Sequence, residues 1–330
     1  MRRLSLCVSV LWLWCALGTA SAGAQTIETV GERAMGMGGA FVAVADDSSA
    51  TWWNPAALAA GPFLDVAAGW SRTEFRETGE ARGRTTPVAV SISTPPVGVS
   101  YYRFRITDIQ PSEPKGGPTV TPPAGREDGR VGVGRSLRLH DVGVTLLSSI
   151  FPGVHVGTTL KFLHGSVEHT SGDLASASES QFDADLGVLA VAGPWRIGGV
   201  VRNLRAAEFG GTNGDGIRLP RQGRIGVAFD SAARRGSNAA WTASADVDVA
   251  SYATVTGDRR VIAAGAERWL FGKRIGVRGG GRFNQVGHKE RSATGGVSAA
   301  IRSGMFIEAH AVAGGSDDER GWGVGGRVSF

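Results

Sequence analysis

Few residues in this sequence are arranged for bond-making chemistry. The histidines form none of the H-x-x-x-H or H-E-x-x-H spacings that hold a catalytic zinc ion; they are His140, His155, His164, His169, His288 and His310. No G-x-S-x-G nucleophile motif occurs, and no serine, histidine and aspartate stand out as a triad. The sequence therefore predicts no catalytic residue and no metal site, and we do not expect an enzyme.

The glycine cluster Gly36-Met37-Gly38-Gly39 invites comparison with a nucleotide-binding loop. It lacks the full G-x-G-x-x-G spacing, a preceding strand and a βαβ unit, so we expect no bound cofactor. The two cysteines, Cys7 and Cys15, both lie near the N-terminus, in a segment that we expect to be removed. The mature chain would then form no disulfide and no thiolate metal site.

Charged side chains instead recur at alternate positions within apolar segments. Asp183 and Asp185, for example, alternate with Phe182 and Leu186. A charge that faces lipid at the membrane midplane would cost about 2–4 kcal/mol, so such side chains must point into the interior of a barrel. On this reasoning the lumen-facing residues are Lys161, Asp183, Asp185, Arg202, Asp246, Asp248, Arg278, Glu308 and Arg327, with Arg196, Arg224, Arg260, Arg268 and Arg282. Because both signs are present, we expect ion pairs that brace the wall.

The elements that position these charges are segments of about ten residues with period-2 alternation, the pattern of a transmembrane β-barrel. No mature segment has the ~20 consecutive apolar residues of a spanning helix. The predicted fold is an all-β, closed antiparallel barrel of about 14 strands. We place the strands at 63–70, 86–94, 97–106, 136–148, 154–167, 181–191, 195–205, 222–230, 240–249, 259–270, 274–284, 291–302, 305–314 and 321–330.

The connections between these segments alternate in length, as they do in outer-membrane barrels. The long connections are 71–85, 107–135, 168–180, 206–221, 250–258, 285–290 and 315–320. With a periplasmic N-terminus, every long connection would lie outside the cell. The same topology places Trp195, Trp241 and Trp269 at the periplasmic rim and Trp70 and Trp322 at the outer rim, as two aromatic girdles.

The N-terminus has the pattern of a secretory signal peptide over residues 1–24. Arg2 and Arg3 precede an apolar stretch and a small-residue series, with cleavage after Ala22 or after Ala24. Without the signal peptide the net charge of +5 falls by two, which is too weak and dispersed for a nucleic-acid partner. Export and a barrel together predict the outer membrane of a Gram-negative-type bacterium. The terminal Phe330, which closes an alternating strand, fits the signal by which the outer-membrane assembly machinery recognises its clients.

Residues 31–59 fit neither a strand nor a simple loop. The block combines small, charged and aromatic positions at Arg33, Gly36, Gly38, Gly39, Phe41, Asp46, Asp47, Trp53, Asn54 and Pro55. It resembles the N-terminal signature of the FadL-type outer-membrane transporters of fatty acids and hydrocarbons and of their PorV-like relatives. The resemblance implies that residues 25–60 form a hatch inside a barrel of residues 61–330. Irregular backbone at membrane depth is tolerated in such a lumen.

The resemblance leaves two classes of function open. The first is a channel for passive uptake of hydrophobic small molecules such as fatty acids and hydrocarbons. The second is a PorV-like protein-interaction barrel that serves a secretion system, with secreted proteins as cargo. A structural barrel without transport is a third hypothesis. The expected partners are outer-membrane lipid, a hydrophobic ligand and the assembly machinery.

Overall fold

A computed structural model describes residues 28–76, 82–109, 135–169, 177–210, 217–231, 241–254, 257–315 and 319–330. The predicted signal peptide and the first residues of the predicted hatch, 25–27, lie outside these residues. No helix in the described part of the chain is long and apolar enough to cross a membrane.

Eighteen strands are present in the described residues, and fourteen of them close into one antiparallel barrel. They are β1 (Asp65–Arg76), β2 (Arg82–Thr94), β3 (Val97–Ile109), β4 (Arg135–Phe151), β5 (Val154–His169), β6 (Ala177–Ala192), β7 (Trp195–Arg202), β8 (Glu208–Phe209), β9 (Ile217–Arg218), β10 (Gln222–Asp230), β11 (Trp241–Asp248), β12 (Tyr252–Thr254), β13 (Gly257–Arg259), β14 (Val261–Leu270), β15 (Ile275–Asn284), β16 (Arg291–Arg302), β17 (Met305–Gly314) and β18 (Arg320–Ser329). The predicted fold class and strand number are confirmed.

The barrel closes where the first and last strands pair. Residues Asp65 to Glu74 of β1 face Ser329 to Arg320 of β18 in continuous register. The remaining neighbours follow chain order, except that β7 pairs with β10 and β11 with β14. The skipped strands form two small hairpins, β8–β9 and β12–β13, within segments that the sequence pattern predicts as plain loops.

Alternation along the strands separates two environments. In β6, Asp183 and Asp185 are buried whereas Phe182, Leu186 and Val188 are exposed. The outer face is therefore apolar and the inner face largely polar, as expected for a wall that contacts lipid on one side.

Aromatic rings cluster toward both ends of the barrel wall. At the end with short turns, the Phe229 ring lies 5.0 Å from the rings of Trp195 and Trp241. Toward the end with long connections, the rings of Trp70 and Trp322 contact each other at 5.0 Å. Such aromatic belts typically sit at the membrane interfaces.

The N-terminal segment, residues 28–64, contains helix α1 (Glu32–Gly36), helix α2 (Ala50–Trp53) and a 3₁₀ helix η1 (Pro55–Ala60). Helix α1 packs on β16 and β17, whereas η1 packs on β5 and β6. Five barrel strands separate these two regions in either direction around the wall. The N-terminal segment therefore crosses the barrel interior from one side to the other.

Candidate functional site

Arg33 is the centre of the contacts between the N-terminal segment and the wall. Its guanidinium donates to Glu267 of β14 at 2.8 to 3.1 Å, to Asp47 at 3.2 Å and also to Asp46. Burial by itself would lower the pKa of Arg33, but the carboxylates of Asp46 and Glu267 outweigh it and raise that pKa well above its usual value. A cation shared by buried carboxylates on both partners fastens the segment to the wall.

Wall side chains also bind the backbone of the N-terminal segment. Asp246 accepts hydrogen bonds from the N–H groups of Phe41 and Val42 at 2.8 and 2.9 Å. Ser244 donates to the carbonyl of Ala40 at 2.5 Å. These contacts satisfy backbone groups that an irregular buried segment cannot pair internally.

Asn54 and Pro55 fix the second half of the segment. The Asn54 side-chain amide donates to the carbonyls of Val42 and Val188, each at 2.9 Å, and its oxygen accepts from the Ala56 N–H at 3.1 Å. Pro55 begins η1, where a missing N–H costs nothing. One amide therefore joins two parts of the segment to strand β6.

Two of the predicted glycines are required by geometry. Gly38 has a φ of +72°, and a Cβ atom there would lie 2.7 Å from the backbone nitrogen of Gly281. Gly39 has a φ of +78° and packs against Glu28. Only glycine combines this left-handed conformation with such a close approach to its surroundings.

The lumen-facing residues predicted from alternation are at least half-buried, with the exceptions given below. Eleven of them are buried: Lys161, Asp183, Asp185, Arg202, Arg224, Asp246, Asp248, Arg278, Arg282, Glu308 and Arg327. Most form ion pairs. Lys161 lies 2.7 Å from Asp185, and Arg224 lies 2.7 Å from Asp248. Farther around the wall, Arg327 lies 3.6 Å from Glu308.

The lumen assignment is wrong for two arginines of the predicted strand 259–270. Arg260 and Arg268 are exposed, and Glu267 is buried in place of Arg268. The inward face of β14 is mostly small and apolar because Val261 and Ala263 pack on Ala40 of the N-terminal segment. The charges of this strand therefore indicate the wrong set of alternate residues as the lumen-facing set.

Two buried glutamates of the N-terminal segment carry no sequence signal. Burial raises the pKa of Glu28, but the nearby Arg224 and Arg259 outweigh burial and lower it to about 2. For Glu32, burial outweighs a backbone hydrogen bond and the charge of Arg278 and raises the pKa to about 8, with Glu308 and Asp47 adding to the rise. Its carboxyl lies against Gly325 of β18, at the seam between β1 and β18.

An apolar cluster lines one side of the interior toward the long connections. The term "apolar cluster" denotes the buried side chains of β3, β4 and β5 together with those of the chain around the β8–β9 hairpin: Tyr102, Phe104, Ile106, Leu137, Leu139, Leu163, Val167, Phe209, Ile217 and Leu219. Trp52 of α2 reaches it, with ring centroids 5.1 Å from Tyr102 and 5.2 Å from Phe104. Its members come from three consecutive wall strands and a later hairpin, it meets the N-terminal segment at Trp52, and sequence reasoning missed it.

Polar residues lie below the apolar cluster, and we call them the polar floor: Ser100, Asp141, Lys161, Asp183, Asp185 and Arg202. The Arg202 guanidinium carbon lies 3.4 Å from the centroid of the Trp52 ring, and its Nε atom is 3.4 Å from Asp185. Lys161 donates to Asn203 at 2.6 Å. This side of the interior is therefore amphipathic, apolar above and charged below.

A groove of about 520 Å³ lies on the outer face of the wall, and its lining includes Trp195, Val227, Phe229, Trp241 and Ala243. In the described part of the chain, no group of three or more histidine, cysteine, aspartate or glutamate side chains is placed to hold a metal ion.

Three solved structures of known proteins are similar to this chain in fold. The CymD monoaromatic hydrocarbon channel superimposes with a TM-score of 0.64 at 13% identity, covering 93% of this chain and 99% of that chain. The Pseudomonas putida toluene transporter TodX gives 0.57 at 11% identity, with coverages of 94% and 99%. A Pseudomonas aeruginosa FadL homologue gives 0.60 at 10% identity, with the same coverages. The chain has the fold of the FadL-type channels.

A family model described as the F plasmid transfer operon, TraF, protein matches residues 130–248, which is less than half of the chain. Comparison with curated proteins gives no match. The three similar structures are named as a channel, a transporter and a FadL homologue.

Proposed function

We propose that the protein is an outer-membrane channel for the passive uptake of hydrophobic small molecules such as hydrocarbons and fatty acids. The observation that carries the proposal is the apolar cluster inside the barrel. A pore for polar solutes has a polar, water-filled interior. Small-molecule sites, in contrast, are mostly lined by apolar side chains with a few polar groups that fix orientation, and the apolar cluster with the polar floor below it supplies both.

In this proposal the N-terminal segment acts as the hatch. It crosses the interior, and Trp52 connects it to the apolar cluster. The long connections face the outside and the N-terminus faces the periplasm. A ligand would enter beneath the β8–β9 hairpin, reach Trp52 and pass inward only when the hatch contacts of Arg33 or Asp246 loosen.

Uptake by living cells tests the proposal. A Gram-negative host without a channel of this fold would express the protein, and entry of labelled toluene and labelled oleate would be measured. Leu139→Gln places a polar group in the apolar cluster, and we expect it to reduce uptake about tenfold, the effect of roughly 1.4 kcal/mol. Its neighbour Arg138 is exposed, so Arg138→Gln is the matched control and should leave uptake unchanged.

Cells that express folded protein but take up neither compound faster than the empty host would contradict the channel. Heat-modifiable migration on gels would establish that each variant is folded. Equal uptake by the two variants would instead show that the apolar cluster is not part of the uptake pathway.

A protein-interaction barrel that serves a secretion system is the second candidate. It is favoured by the match of residues 130–248 to the transfer-operon model. In that case cross-linking in the native cell would capture secretion components or secreted cargo at the long connections. A protein that purifies as a monomer without secretion components or cargo, and that transports toluene, would exclude this candidate.

A further inference from the structure

Two arginines of β3 lie on the outer face of the wall without an opposite charge beside them. Arg103 and Arg105 are exposed, and among the side chains that the structure describes neither belongs to an ion pair. Arg138, which faces Arg105 in the sheet register, is instead balanced by Glu168 at 3.5 Å. Like charges directly opposite each other destabilise a sheet, so this part of the wall favours an added anion.

The register places both arginines at the upper edge of the apolar belt. About 7 Å below Arg103, the exposed side chains on four adjacent strands are Tyr101, Val142, Phe162 and Phe182. In the other direction around the wall, Arg103 faces Val88, and Val88 faces Trp70 of the aromatic pair near the long connections. Such aromatic residues mark the level of the lipid headgroups, so the guanidinium groups reach headgroups and not hydrocarbon.

A row of hydrogen-bonding side chains continues from Arg103 across three more strands. We call it the polar row, and its members pair successively in the register: Arg103, His140, His164 and Ser180. Nδ1 of His164 lies 2.9 Å from the Ser180 hydroxyl, and Nδ1 of His140 lies 2.9 Å from the Tyr101 hydroxyl. Because adjacent strands are ~4.8 Å apart, the row is about 14 Å wide. The lipid-facing wall therefore carries a broad polar band at one level.

The charge and the width of this surface restrict what it binds. A guanidinium group forms paired, charge-assisted hydrogen bonds with phosphate oxygens, and basic clusters at a membrane surface bind anionic headgroups. A headgroup with a phosphate alone would engage Arg103 and Arg105 and leave the rest of the polar row without a partner in the lipid. Sugar hydroxyls both donate and accept, as the imidazole and hydroxyl groups of the row do. A headgroup with phosphate and sugars matches both features.

We propose that the outer face of β3–β6 binds a phosphorylated glycolipid of the outer leaflet, with a phosphate on Arg103 and Arg105 and the sugars along the rest of the polar row. The acyl chains lie below, against the rings of Phe162 and Phe182, whose centroids are 5.2 Å apart. The inference rests on the outward placement of the long connections in the proposed function. It goes beyond uptake because it assigns a lipid partner to the outside of the wall.

Native mass spectrometry of the purified protein, folded in a neutral detergent, tests the proposal. The probes are lipid A, its dephosphorylated form, and phosphatidate, which has a phosphate monoester but no sugar. Inorganic phosphate in large excess serves as a competitor. We expect lipid A to bind at least about tenfold more tightly than either of the other lipids, the effect of roughly 1.4 kcal/mol. Inorganic phosphate should not displace it.

Three variants locate the effect on this surface. Arg103→Gln and Arg105→Gln each remove an exposed guanidinium group, so the fold should tolerate them, and each should weaken binding of lipid A about tenfold. His164→Leu keeps both arginines and should lower the preference for lipid A over phosphatidate about threefold, the effect of one neutral hydrogen bond. Arg260, exposed at the same end of the barrel but outside β3–β6, supplies the control Arg260→Gln, which should change nothing.

Several outcomes would overturn the inference. Equal affinity of the unmodified protein for lipid A and its dephosphorylated form would show that phosphate is not recognised. Equal affinity for lipid A and phosphatidate would show that the sugars are not recognised, and displacement by inorganic phosphate would indicate a site for the free anion. Unchanged binding of lipid A by folded Arg103→Gln and Arg105→Gln would place the lipid elsewhere.

These outcomes are independent of the channel proposal, because binding is measured without transport. Failure of lipid A to bind, while cells still take up toluene and oleate, would end the glycolipid inference alone. Binding of lipid A by a protein that transports neither compound would end the channel proposal alone.

Discussion

Replacing Arg33 with leucine removes the cation on which the N-terminal segment depends. The change leaves the buried carboxylates of Asp47 and Glu267 and the partly buried carboxylate of Asp46 near one another without their shared partner. Removing one member of a buried ion pair typically destabilises a protein by about 3–5 kcal/mol, because the remaining charge stays desolvated. Since the introduced leucine side chain would recover part of this through packing against Phe41, we expect a loss near the lower end, about 3 kcal/mol.

The matched control is Arg72→Leu. Arg72 also pairs with a glutamate, Glu74 at 2.5 Å, but both side chains are more than 40% exposed. An exposed pair contributes about 0–1 kcal/mol. Two arginine-to-leucine changes on this chain therefore differ chiefly in burial.

Urea titration in lipid micelles, followed by tryptophan fluorescence, measures the free energy of unfolding of both variants. Single-channel conductance in planar bilayers reports whether the interior has opened. We expect Arg33→Leu to lower the free energy and to produce frequent openings, while Arg72→Leu does neither. Equal stability and closed channels in both variants would refute the view that Arg33 fastens the segment to the wall.

Three further changes probe other contacts. The pKa of Glu32 is raised from 4.5 to about 8, so the folded protein favours the protonated form. The free energy of unfolding should therefore fall by roughly 1.4 kcal/mol per pH unit as the pH rises from 4.5 to about 8. Urea titrations at several pH values should show that Glu32→Gln flattens this slope. Phe209→Ala should open a cavity that costs about 3–5 kcal/mol, and added fluorobenzene should restore part of the lost stability in the same titration; no restoration would mean that the space collapses. Gly38→Ala should destabilise the protein by about 1–3 kcal/mol more than Gly272→Ala, because both glycines have positive φ but only Gly38 approaches backbone; equal melting temperatures would contradict this.

The strands were predictable because each depends on a local pattern. A residue such as Asp185, between the half-buried Ala184 and the exposed Leu186, needs only its neighbours to indicate the inner face, since the period of a strand is two residues. Most of the fourteen barrel strands lie within a few residues of their predicted bounds for that reason. The same reasoning fails in β14, where contact with Ala40, more than 200 residues earlier, makes the inner face apolar.

The candidate site was harder to predict because its members come together only after closure. Phe209, Leu139 and Trp52 belong to a hairpin, a wall strand and the N-terminal segment, and no spacing in the sequence connects them. The predicted charges of the floor, such as Lys161 and Asp185, were recognisable one by one. The partners that these side chains would find were not, because hydrogen bonding depends on the three-dimensional arrangement.

The seam between β1 and β18 has a consequence for biogenesis. The Glu32 carboxyl lies over both strands, against the paired glycines Gly69 and Gly325. The strands pair across more than 240 residues of intervening chain, so this ladder carries the largest loop-closure entropy in the barrel. A wall that zipped shut first would leave no lateral gap through which a segment contacting both strands could enter. We therefore expect the N-terminal segment to be in place when the last ladder forms and to act as a template for it.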